Sequence, residues 1–451
     1  MPDLDAIFKA YDIRGTTPDQ LDAEVARAVG EAFAVFARGQ AGGAEKVLVG
    51  RDMRASGVDL AAAFMDGVRS QGLDVVELGL ASTDLVYFAA GQMDSPGAMF
   101  TASHNPAQYN GMKLCLAGAK PIGEDSGLRE IKRMAADGVP PHTGPSGDHR
   151  SLDLLGAFSD HVRSFVDLTA LRPLKVIADT ANGMGGLVVP AVFDGLPFDL
   201  EVLYGELDGT FPNHPADPIQ PENLRDLQAR VLETGADIGL AFDGDADRVF
   251  LVDELGTPVS GSTTTAIVAV GVLEKHPGAT ILHNCICSKA VAEVVREHGG
   301  HPVRTKVGHS FIKAVMADTG AAFGGEHSAH YYFRDNYRAD SGSIAALLVL
   351  EQMGKAGVAL SELRRPFDRY AASGEINTEV ADPAAVIERV AGEYPADAQD
   401  RLDGLTVDLG DWWFNLRASN TEPLLRLNLE AADAARCATK VAEVRALIDA
   451  P

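Results

Sequence analysis

Residues 174–186 read LKVIADTANGMGG, an apolar run of strand length that passes into a glycine-rich loop. The same order of strand, loop and helix recurs from residues 46–50 (KVLVG), from residues 97–100 (GAMF) and again from residue 279. Strands that alternate with helices of about 10 to 15 residues indicate layers of α/β structure. The repeats of this pattern therefore predict an α/β protein.

The chain divides into four predicted domains. A Pro/Gly-rich stretch at residues 139–147 (VPPHTGPSG) reads as a linker after the first domain. The tail differs, because residues 425–429 (LRLNL) alternate apolar and polar side chains as a half-buried strand does. We predict three similar mixed α/β domains and a smaller C-terminal α+β domain, at residues 1–148, 149–254, 255–368 and 369–451.

Composition and charge exclude several classes of partner. Of the 451 residues, 46% are hydrophobic and 23% are charged, which is typical of a globular protein. The net charge of −25 disfavours binding to nucleic acid or to an anionic membrane over a broad surface. The chain has no apolar run of about 18 residues and no apolar signal core near its start. We therefore expect a cytoplasmic protein that binds neither nucleic acid nor membrane.

The cysteines do not form a recognisable metal motif. Two of them are spaced C-x-C, with no second pair to complete a zinc site. We expect reduced, buried thiols at all four positions, which are Cys115, Cys285, Cys287 and Cys437.

Three aspartates stand at alternate positions within residues 241–248, AFDGDADR. In a turn, Asp243, Asp245 and Asp247 can converge on one cation, and their oxygen ligands suit Mg²⁺ or Ca²⁺. An EF-hand is rejected, because Arg248 stands where that loop needs glycine and the flanks read as strands. A solvated acidic turn is the alternative, although three aspartates between apolar strands are costly without a cation. Arg248 adds a positive group that suits a phosphate contact.

Three further polar loops have both a chemical and a structural interpretation. Residues 101–106 (TASHNP) offer Ser103 as a nucleophile or phosphoacceptor, or simply form a polar turn. Residues 324–330 (GGEHSAH) offer donors and acceptors for sugar hydroxyls, or form a polar loop. Residues 417–423 (RASNTEP) can surround a phosphate, or form an Asx or Ser turn.

In this order and spacing, the four motifs resemble the α-D-phosphohexomutase superfamily, and within it the bacterial phosphomannomutase/phosphoglucomutase branch. The similarity extends from YDIRG at residues 11–15 to RASNTEP at residues 417–423. It implies four domains around a central active-site cleft. It also implies an intramolecular phosphotransferase of the isomerase class, which moves phosphate between C1 and C6 of a hexose. The implied cofactors are Mg²⁺ and a hexose 1,6-bisphosphate, which is both activator and intermediate.

The resemblance also implies roles at the reacting end of the site. Ser103 would be the phosphoserine and would hold Mg²⁺ together with Asp243, Asp245 and Asp247. His104 and Lys113 are candidates for proton transfer near this serine. Two arginines match further catalytic positions of the family, and they are Arg14 and Arg248.

At the sugar end, Glu326 and Ser328 would hold the hydroxyl groups, and His327 would tune recognition at C2. Tyr11 and His309 match further substrate-binding positions. The phosphate that is not reacting would be gripped by Arg417, Ser419, Asn420 and Thr421.

One position departs from the family pattern and bears on the substrate. Ile286 stands where the family often has a basic residue, although Lys289 lies close by. Residues 325–335 look most like the phosphomannomutase members, so we favour mannose phosphates as the small-molecule substrate. Phosphoglucomutase, dual-specificity and phosphoglucosamine mutase activities remain alternatives. So do a non-catalytic sugar-phosphate-binding protein and a metal-dependent phosphatase, and the oligomeric state can be monomer or homodimer.

Overall fold

Helices alternate with buried strands from the first residues onward, as the sequence pattern predicts. The structure is a computed structural model that describes residues 3–418 and 424–450, except for the side chain of His309. Its first elements are α1 (Leu4–Ile7), β1 (Ile13–Thr16), α2 (Ala23–Gly39), β2 (Lys46–Arg51), α3 (Ser56–Ser70), β3 (Asp74–Leu80), α4 (Thr83–Gln92), β4 (Gly97–Phe100), β5 (Tyr109–Leu116), β6 (Lys120–Pro121), α5 (Leu128–Asp137) and β7 (His149–Ser151).

The first sheet has the order β1-β5-β4-β2-β3-β7, with β6 paired to β5. β2 is parallel to β3 and β4, whereas β5 is antiparallel to β4 and β1, so the sheet is mixed. In the core of this region, Phe64 of α3 packs against both Phe33 of α2 and Phe100 of β4. The mixed pairing matters for function, because it places the end of β4 beside the middle of β5.

A second mixed sheet follows, with the order β12-β11-β10-β8-β9. β10 is parallel to β8 but antiparallel to β11, so β10 and β11 form a hairpin. Every residue of these two strands is buried. The elements of this stretch are α6 (Leu155–Arg163), β8 (Leu174–Asp179), α7 (Gly185–Phe193), β9 (Phe198–Leu203), α8 (Arg225–Thr234), β10 (Ile238–Phe242), β11 (Val249–Asp253) and β12 (Pro258–Val259).

The third stretch again alternates strands and helices. β13 lies between β14 and β15 and is parallel to both. The elements are α9 (Gly261–Lys275), β13 (Thr280–Asn284), α10 (Lys289–Glu297), β14 (His301–Thr305), α11 (His309–Thr319), β15 (Phe323–Gly325), β16 (Tyr331–Phe333), α12 (Gly342–Ala356) and α13 (Leu360–Arg364).

The C-terminal stretch is an antiparallel sheet with two helices. Its order is β17-β21-β20-β19-β18, and Leu425, Leu427 and Leu429 point into its core as the alternation predicts. The elements are β17 (Ala371–Glu379), α14 (Pro383–Gly392), β18 (Gln399–Asp400), β19 (Leu405–Asp408), β20 (Trp412–Ala418), β21 (Leu424–Ala431) and α15 (Ala434–Ile448). Three mixed α/β regions and an α+β tail confirm the predicted fold class.

The chain divides into two compact units. One comprises residues 1–259 and 329–361, and the other comprises residues 260–328 and 362–451. All four cysteines are free and buried, as expected. Within the described residues, each helix is too short or too polar to cross a bilayer.

Candidate active site

The loop between β4 and β5 carries Ser103, which is only 5% exposed. Its φ of +50° lies in the left-handed region, which non-glycine residues rarely adopt outside functional or strained sites. The Ser103 Oγ donates a hydrogen bond to Asp243 Oδ2 at 2.8 Å. The structure therefore brings the predicted phosphoacceptor against the predicted metal loop.

A buried arginine holds the serine loop by its backbone. Arg54 is 1% exposed and pairs with Asp52 at 3.1 Å. Its two terminal nitrogens donate at 2.6–3.0 Å to main-chain carbonyls, which belong to Ser103, Asn105, Pro106 and Tyr109. The guanidinium thus fixes the loop in the conformation that Ser103 requires. Sequence reasoning missed Arg54, because carbonyl acceptors leave no signal in the side-chain pattern.

The three predicted metal ligands lie in the turn of the β10–β11 hairpin, and all three are at most 1% exposed. Gly244 lies between the first two of them. A Cβ on Gly244 would meet the Ser103 carbonyl oxygen at 2.4 Å, so only glycine lets the two loops approach this closely.

Two cations offset the aspartate charges. Lys113 of β5 contacts Asp245 Oδ2 at 2.7 Å and Asp247 Oδ2 at 2.8 Å. The Arg248 Nε donates to Asp243 Oδ2 at 2.9 Å. Lys113 reaches this position because β5 runs antiparallel to β4, which places it opposite Met99.

The pKa values of Asp243 and Asp245 are shifted in opposite directions. Burial raises the pKa of Asp243, the other two aspartates add to that shift, and Arg248 opposes it. Burial would also raise the pKa of Asp245, but Lys113 and Thr83 outweigh burial and the net pKa is lowered. The pKa of Lys113 is raised despite burial, because Asp245 and Asp247 stabilise its charge. The lysine therefore stays an ammonium at neutral pH.

The donor set fits a divalent cation. Asp243, Asp245 and Asp247 each offer a carboxylate oxygen within 4.8 Å of the others. The Oδ1 atoms of Asp245 and Asp247 are buried and have no hydrogen-bond partner among the described residues. Buried carboxylate oxygens in this arrangement suit a hard cation such as Mg²⁺.

Arg14 and His104 lie at the edge of this cluster. Arg14 of β1 donates to Asn105 Oδ1 at 2.7 Å and also pairs with Asp12. The His104 Nδ1 accepts from Arg248 Nη2 at 2.8 Å and lies 3.3 Å from Ser103 Oγ. Burial and then Arg248 lower the pKa of His104 well below its usual value. Tyr11 is half-buried and lies three residues before Arg14.

A second histidine of the cluster was not among the predicted site residues. The Nδ1 of His330 bonds to Asp340 Oδ2 at 2.8 Å and lies 3.9 Å from Asp247 Oδ1. An isolated β-bridge joins His330 to Arg248. The motif GGEHSAH contains this histidine, but the local pattern does not show that it faces the aspartates.

In the second unit, Glu326 follows β15 and is 2% exposed. Its Oε1 accepts from the Gly308 backbone N–H at 2.9 Å and from Asn284 Nδ2 at 3.2 Å. His327 is bonded through Nδ1 to Ser262 Oγ at 2.9 Å, and burial lowers its pKa. Ser328 beside it is half-buried. The hydrogen bond from Gly308 to Glu326 joins the loop before α11 to the predicted sugar loop.

The predicted phosphate clamp is described only in part. Arg417 at the end of β20 is 7% exposed and pairs with Glu375 at 3.1 Å. Ser419, Asn420 and Thr421 lie outside the described residues, and His309 is described only as the first residue of α11.

Lys289, the basic residue that lies close to Ile286 in the sequence, is paired with an aspartate. Ile286 itself is buried, and the Lys289 ammonium pairs with Asp408 at 2.8 Å.

Four family profiles match the chain in order. They are the phosphoglucomutase/phosphomannomutase α/β/α domains I, II and III, at residues 5–138, 156–256 and 260–370, and the C-terminal domain of the same family, at residues 375–447.

Curated relatives and a solved structure agree with these profiles. A phosphomannomutase of Salmonella montevideo is 42% identical over 94% of each chain, and a protein named phosphohexose mutases from Xanthomonas campestris is 41% identical over 98% of each. A phosphoglucomutase/phosphomannomutase family protein of Burkholderia thailandensis superposes with a TM-score of 0.90 at 35% identity, over 99% of this chain and 98% of its own. The chain is therefore a member of the phosphoglucomutase/phosphomannomutase family, whose enzymes are phosphotransferases of the isomerase type.

Proposed function

We propose that the protein is a phosphomannomutase, which interconverts mannose 6-phosphate and mannose 1-phosphate. The contact between Ser103 Oγ and Asp243, inside a cluster of three aspartates and two cations, carries this proposal. Two relatives that are named phosphomannomutase, each 42% identical in sequence to this chain, support mannose as the hexose.

The proposed reaction moves one phosphoryl group in each of two steps. In the first step, a sugar hydroxyl attacks the phosphorus of phosphorylated Ser103. A bond from the sugar oxygen to phosphorus forms, the bond from Oγ to phosphorus breaks, and the hydroxyl proton goes to a base. The bound hexose 1,6-bisphosphate then turns, and Ser103 Oγ attacks the other phosphorus. The bond from that phosphorus to its sugar oxygen breaks, and the sugar oxygen takes the proton back from the base. Such transfers depend on positioning and on neutralising charge rather than on a strong nucleophile.

We propose Mg²⁺ as the cation that Asp243, Asp245 and Asp247 hold together with an oxygen of the Ser103 phosphate. When bound, it would offset the charge of the transferring phosphoryl group. The unpartnered Oδ1 atoms of Asp245 and Asp247 support this assignment. Lys113 and Arg248 supply the remaining positive charge from the protein itself.

The hydrogen bonds favour His330 for proton exchange with the sugar. The Nδ1 of His330 bonds to Asp340 Oδ2 at 2.8 Å, so Nε2 is the ring nitrogen that would exchange the proton. The Nδ1 of His104, by contrast, already accepts from Arg248, and Lys113 is an ammonium held by two aspartates. We therefore assign electrostatic and orienting roles to His104, Lys113 and Arg14.

We propose that Glu326 and Ser328 bind the sugar hydroxyls and that His327 tunes recognition at C2. The two donors on the Glu326 carboxylate support this role, because they hold an acceptor in a fixed place. Arg417, Ser419, Asn420 and Thr421 would bind the distal phosphate, with His309 and Tyr11 beside the substrate. The pairing of Arg417 with Glu375 holds that guanidinium at the end of β20.

We propose domain boundaries after residues 148, 254 and 368. We propose the cytoplasm as the compartment, because four free, buried thiols suit a reducing environment.

A substrate panel tests the identity of the sugar. We expect kcat/KM to be highest for mannose 1-phosphate when it is compared with glucose 1-phosphate and glucosamine 1-phosphate, in the presence of Mg²⁺ and hexose 1,6-bisphosphate. A strong preference for glucosamine 1-phosphate would contradict the proposal. Release of free phosphate would indicate a phosphatase, and the absence of any turnover would indicate a binding protein.

Intact-mass measurement tests the mechanism. We expect one phosphoryl group on the wild-type protein after incubation with hexose 1,6-bisphosphate. The Ser103→Ala variant should carry none and should lose about 1,000-fold or more in kcat, because the covalent donor is absent. A Ser103→Ala variant with near-wild-type turnover would remove Ser103 from the mechanism.

A further inference from the structure

Two helices begin beside the aspartate cluster, and each has a serine at its N-cap. The Ser82 Oγ accepts from the Leu85 N–H of α4 at 3.4 Å. The Ser341 Oγ accepts from the Ile344 N–H of α12 at 3.3 Å. Each hydroxyl therefore keeps its single proton for a second hydrogen bond.

Both protons go to one carboxylate. The Ser82 Oγ donates to Asp84 Oδ1, and the Ser341 Oγ donates to Asp84 Oδ2 at 2.6 Å. Asp84 is 0% exposed, and its contact with Ser341 spans 257 residues of sequence. One buried carboxylate thus joins the N-caps of two helices from distant parts of the chain.

The first residues of α4 and of α12 both contact the loop that carries the three aspartates. At α4, the Thr83 Oγ1 donates to Asp245 Oδ2 at 2.6 Å, and the Thr83 N–H donates to the Asp245 carbonyl at 3.1 Å. At α12, a Cβ on Gly342 would lie 2.8 Å from the Arg248 carbonyl carbon, so this helix packs tightly on the loop. Asp340, just before α12, holds His330 near Asp247.

We propose that Asp84 is a positioning residue for the metal site, which fixes the starts of α4 and α12 against the loop that carries Asp245 and Asp247. The proposal rests on the function proposed above and adds to it a residue that touches neither substrate nor cation. Its effect passes through Thr83 on one side and through the start of α12 on the other.

Burial makes the Asp84 carboxylate costly to ionise. Burial raises the pKa of Asp84 to about 7, although the hydrogen bonds from Ser341 and Ser82 oppose that shift. Because the folded pKa is above the unfolded value, ionising Asp84 costs folding free energy as the pH rises through that range. Replacing Asp84 also leaves the buried Ser82 and Ser341 hydroxyls without this acceptor, so stability and metal affinity have to be measured separately.

The test compares Asp84→Ala, Asp84→Asn and Ser341→Ala with the wild-type protein. Mn²⁺ binding is followed by electron paramagnetic resonance without substrate, and kcat, KM and the melting temperature are measured separately. For Asp84→Ala we expect the Kd for Mn²⁺ to rise and kcat to fall by about 10- to 100-fold each, as for other groups that orient metal ligands. KM for the hexose phosphate should change less than kcat does, and Asp84→Asn should recover part of both losses.

Glu351→Gln is the matched control. Glu351 is also a 0% exposed carboxylate, and it lies in the body of α12, where it accepts from the Asp167 N–H at 2.9 Å. We expect this variant to keep wild-type Mn²⁺ affinity and kcat. Equal losses in Glu351→Gln and Asp84→Ala would overturn the proposal, because they would show a general effect of removing a buried charge.

Two further outcomes are a variant Asp84→Ala that does not fold and a wild-type protein without turnover. If Asp84→Ala does not fold, Ser341→Ala and Asp84→Asn decide the matter, and wild-type Mn²⁺ affinity in both would overturn it. If the wild-type protein turns over no hexose phosphate, the proposed function fails, whereas the Mn²⁺ titrations still show whether Asp84 positions the metal ligands.

Discussion

Gly244 occupies the point where the metal loop and the serine loop meet. The site needs its missing side chain, because a Cβ there would lie 2.4 Å from the Ser103 carbonyl oxygen. That oxygen also accepts from Arg54 at 2.9 Å, so the serine loop is anchored where it meets Gly244. A single residue thus sets the separation between phosphoacceptor and aspartates.

We predict that Gly244→Ala lowers kcat by about 100-fold, because displacing reacting groups by about 1 Å has an effect of this size. Steady-state kinetics and the rate of Ser103 phosphorylation check it. Gly156→Ala in α6 is the control, since a Cβ there meets no atom within 4 Å, and its activity should equal that of the wild type. Wild-type turnover in Gly244→Ala would contradict the reading of this contact.

The sequence predicts the residues of the site better than their partners. Asp243, Asp245 and Asp247 lie close together in sequence, so their convergence needs only a turn. Lys113 joins them only through the antiparallel register of β4 and β5, and the contacts of Arg54 are with carbonyl groups that every residue has. Long-range register and main-chain acceptors have no local pattern. For this reason Arg54 was missed, and Lys113 was named only through the family resemblance.

At the scale of elements, the short apolar strands were predictable and the buried helix α12 was not. β8, β10 and β13 appear where apolar runs of strand length predict them. In α12, the first 12 residues are buried in succession, so no polar face marks a helical period. The same complete burial lets its N-terminus lie beside the metal loop.

β13 also carries a pH-dependent contribution to stability. Burial lowers the pKa of His283 to about 4, so it stays neutral in the fold. Between pH 6.5 and 4 the unfolded chain binds a proton that the folded chain does not, so stability falls as the pH falls through this range.

We predict that His283→Gln removes part of this acid sensitivity, worth about 2 kcal/mol between pH 7 and pH 5 for a shift of this size. Urea unfolding at pH 7 and pH 5 measures the effect as the difference between the two free energies of unfolding. That difference should be smaller in His283→Gln than in the wild type. An identical pH dependence in the two proteins would assign the sensitivity to other groups.

At the scale of the whole molecule, the net charge is −25, whereas the proposed substrate is itself an anion. Among the described residues of the first unit, Lys113 and Arg248 bring positive charge directly to the aspartates. Nearby partners outweigh a distant acidic surface, because salt screens charges beyond about 10 Å.

Cation binding should stabilise the folded protein. At an Mg²⁺ concentration of about 100 times its Kd, we predict a gain of about 2.7 kcal/mol in the free energy of unfolding. Thermal unfolding in Mg²⁺ and in EDTA, at matched ionic strength, measures this gain. Asp245→Asn should lose most of it, and an equal gain in that variant would place the bound cation elsewhere.

The way Arg54 grips the serine loop has an evolutionary consequence. Its guanidinium holds four peptide oxygens and no loop side chain, so the hold does not depend on which amino acids the loop contains. We therefore expect substitutions at the exposed positions Ala107 and Gln108 to leave the position of Ser103 unchanged. Selection would then act on Arg54, whereas the side chains at positions 107 and 108 would be free to vary among homologous proteins.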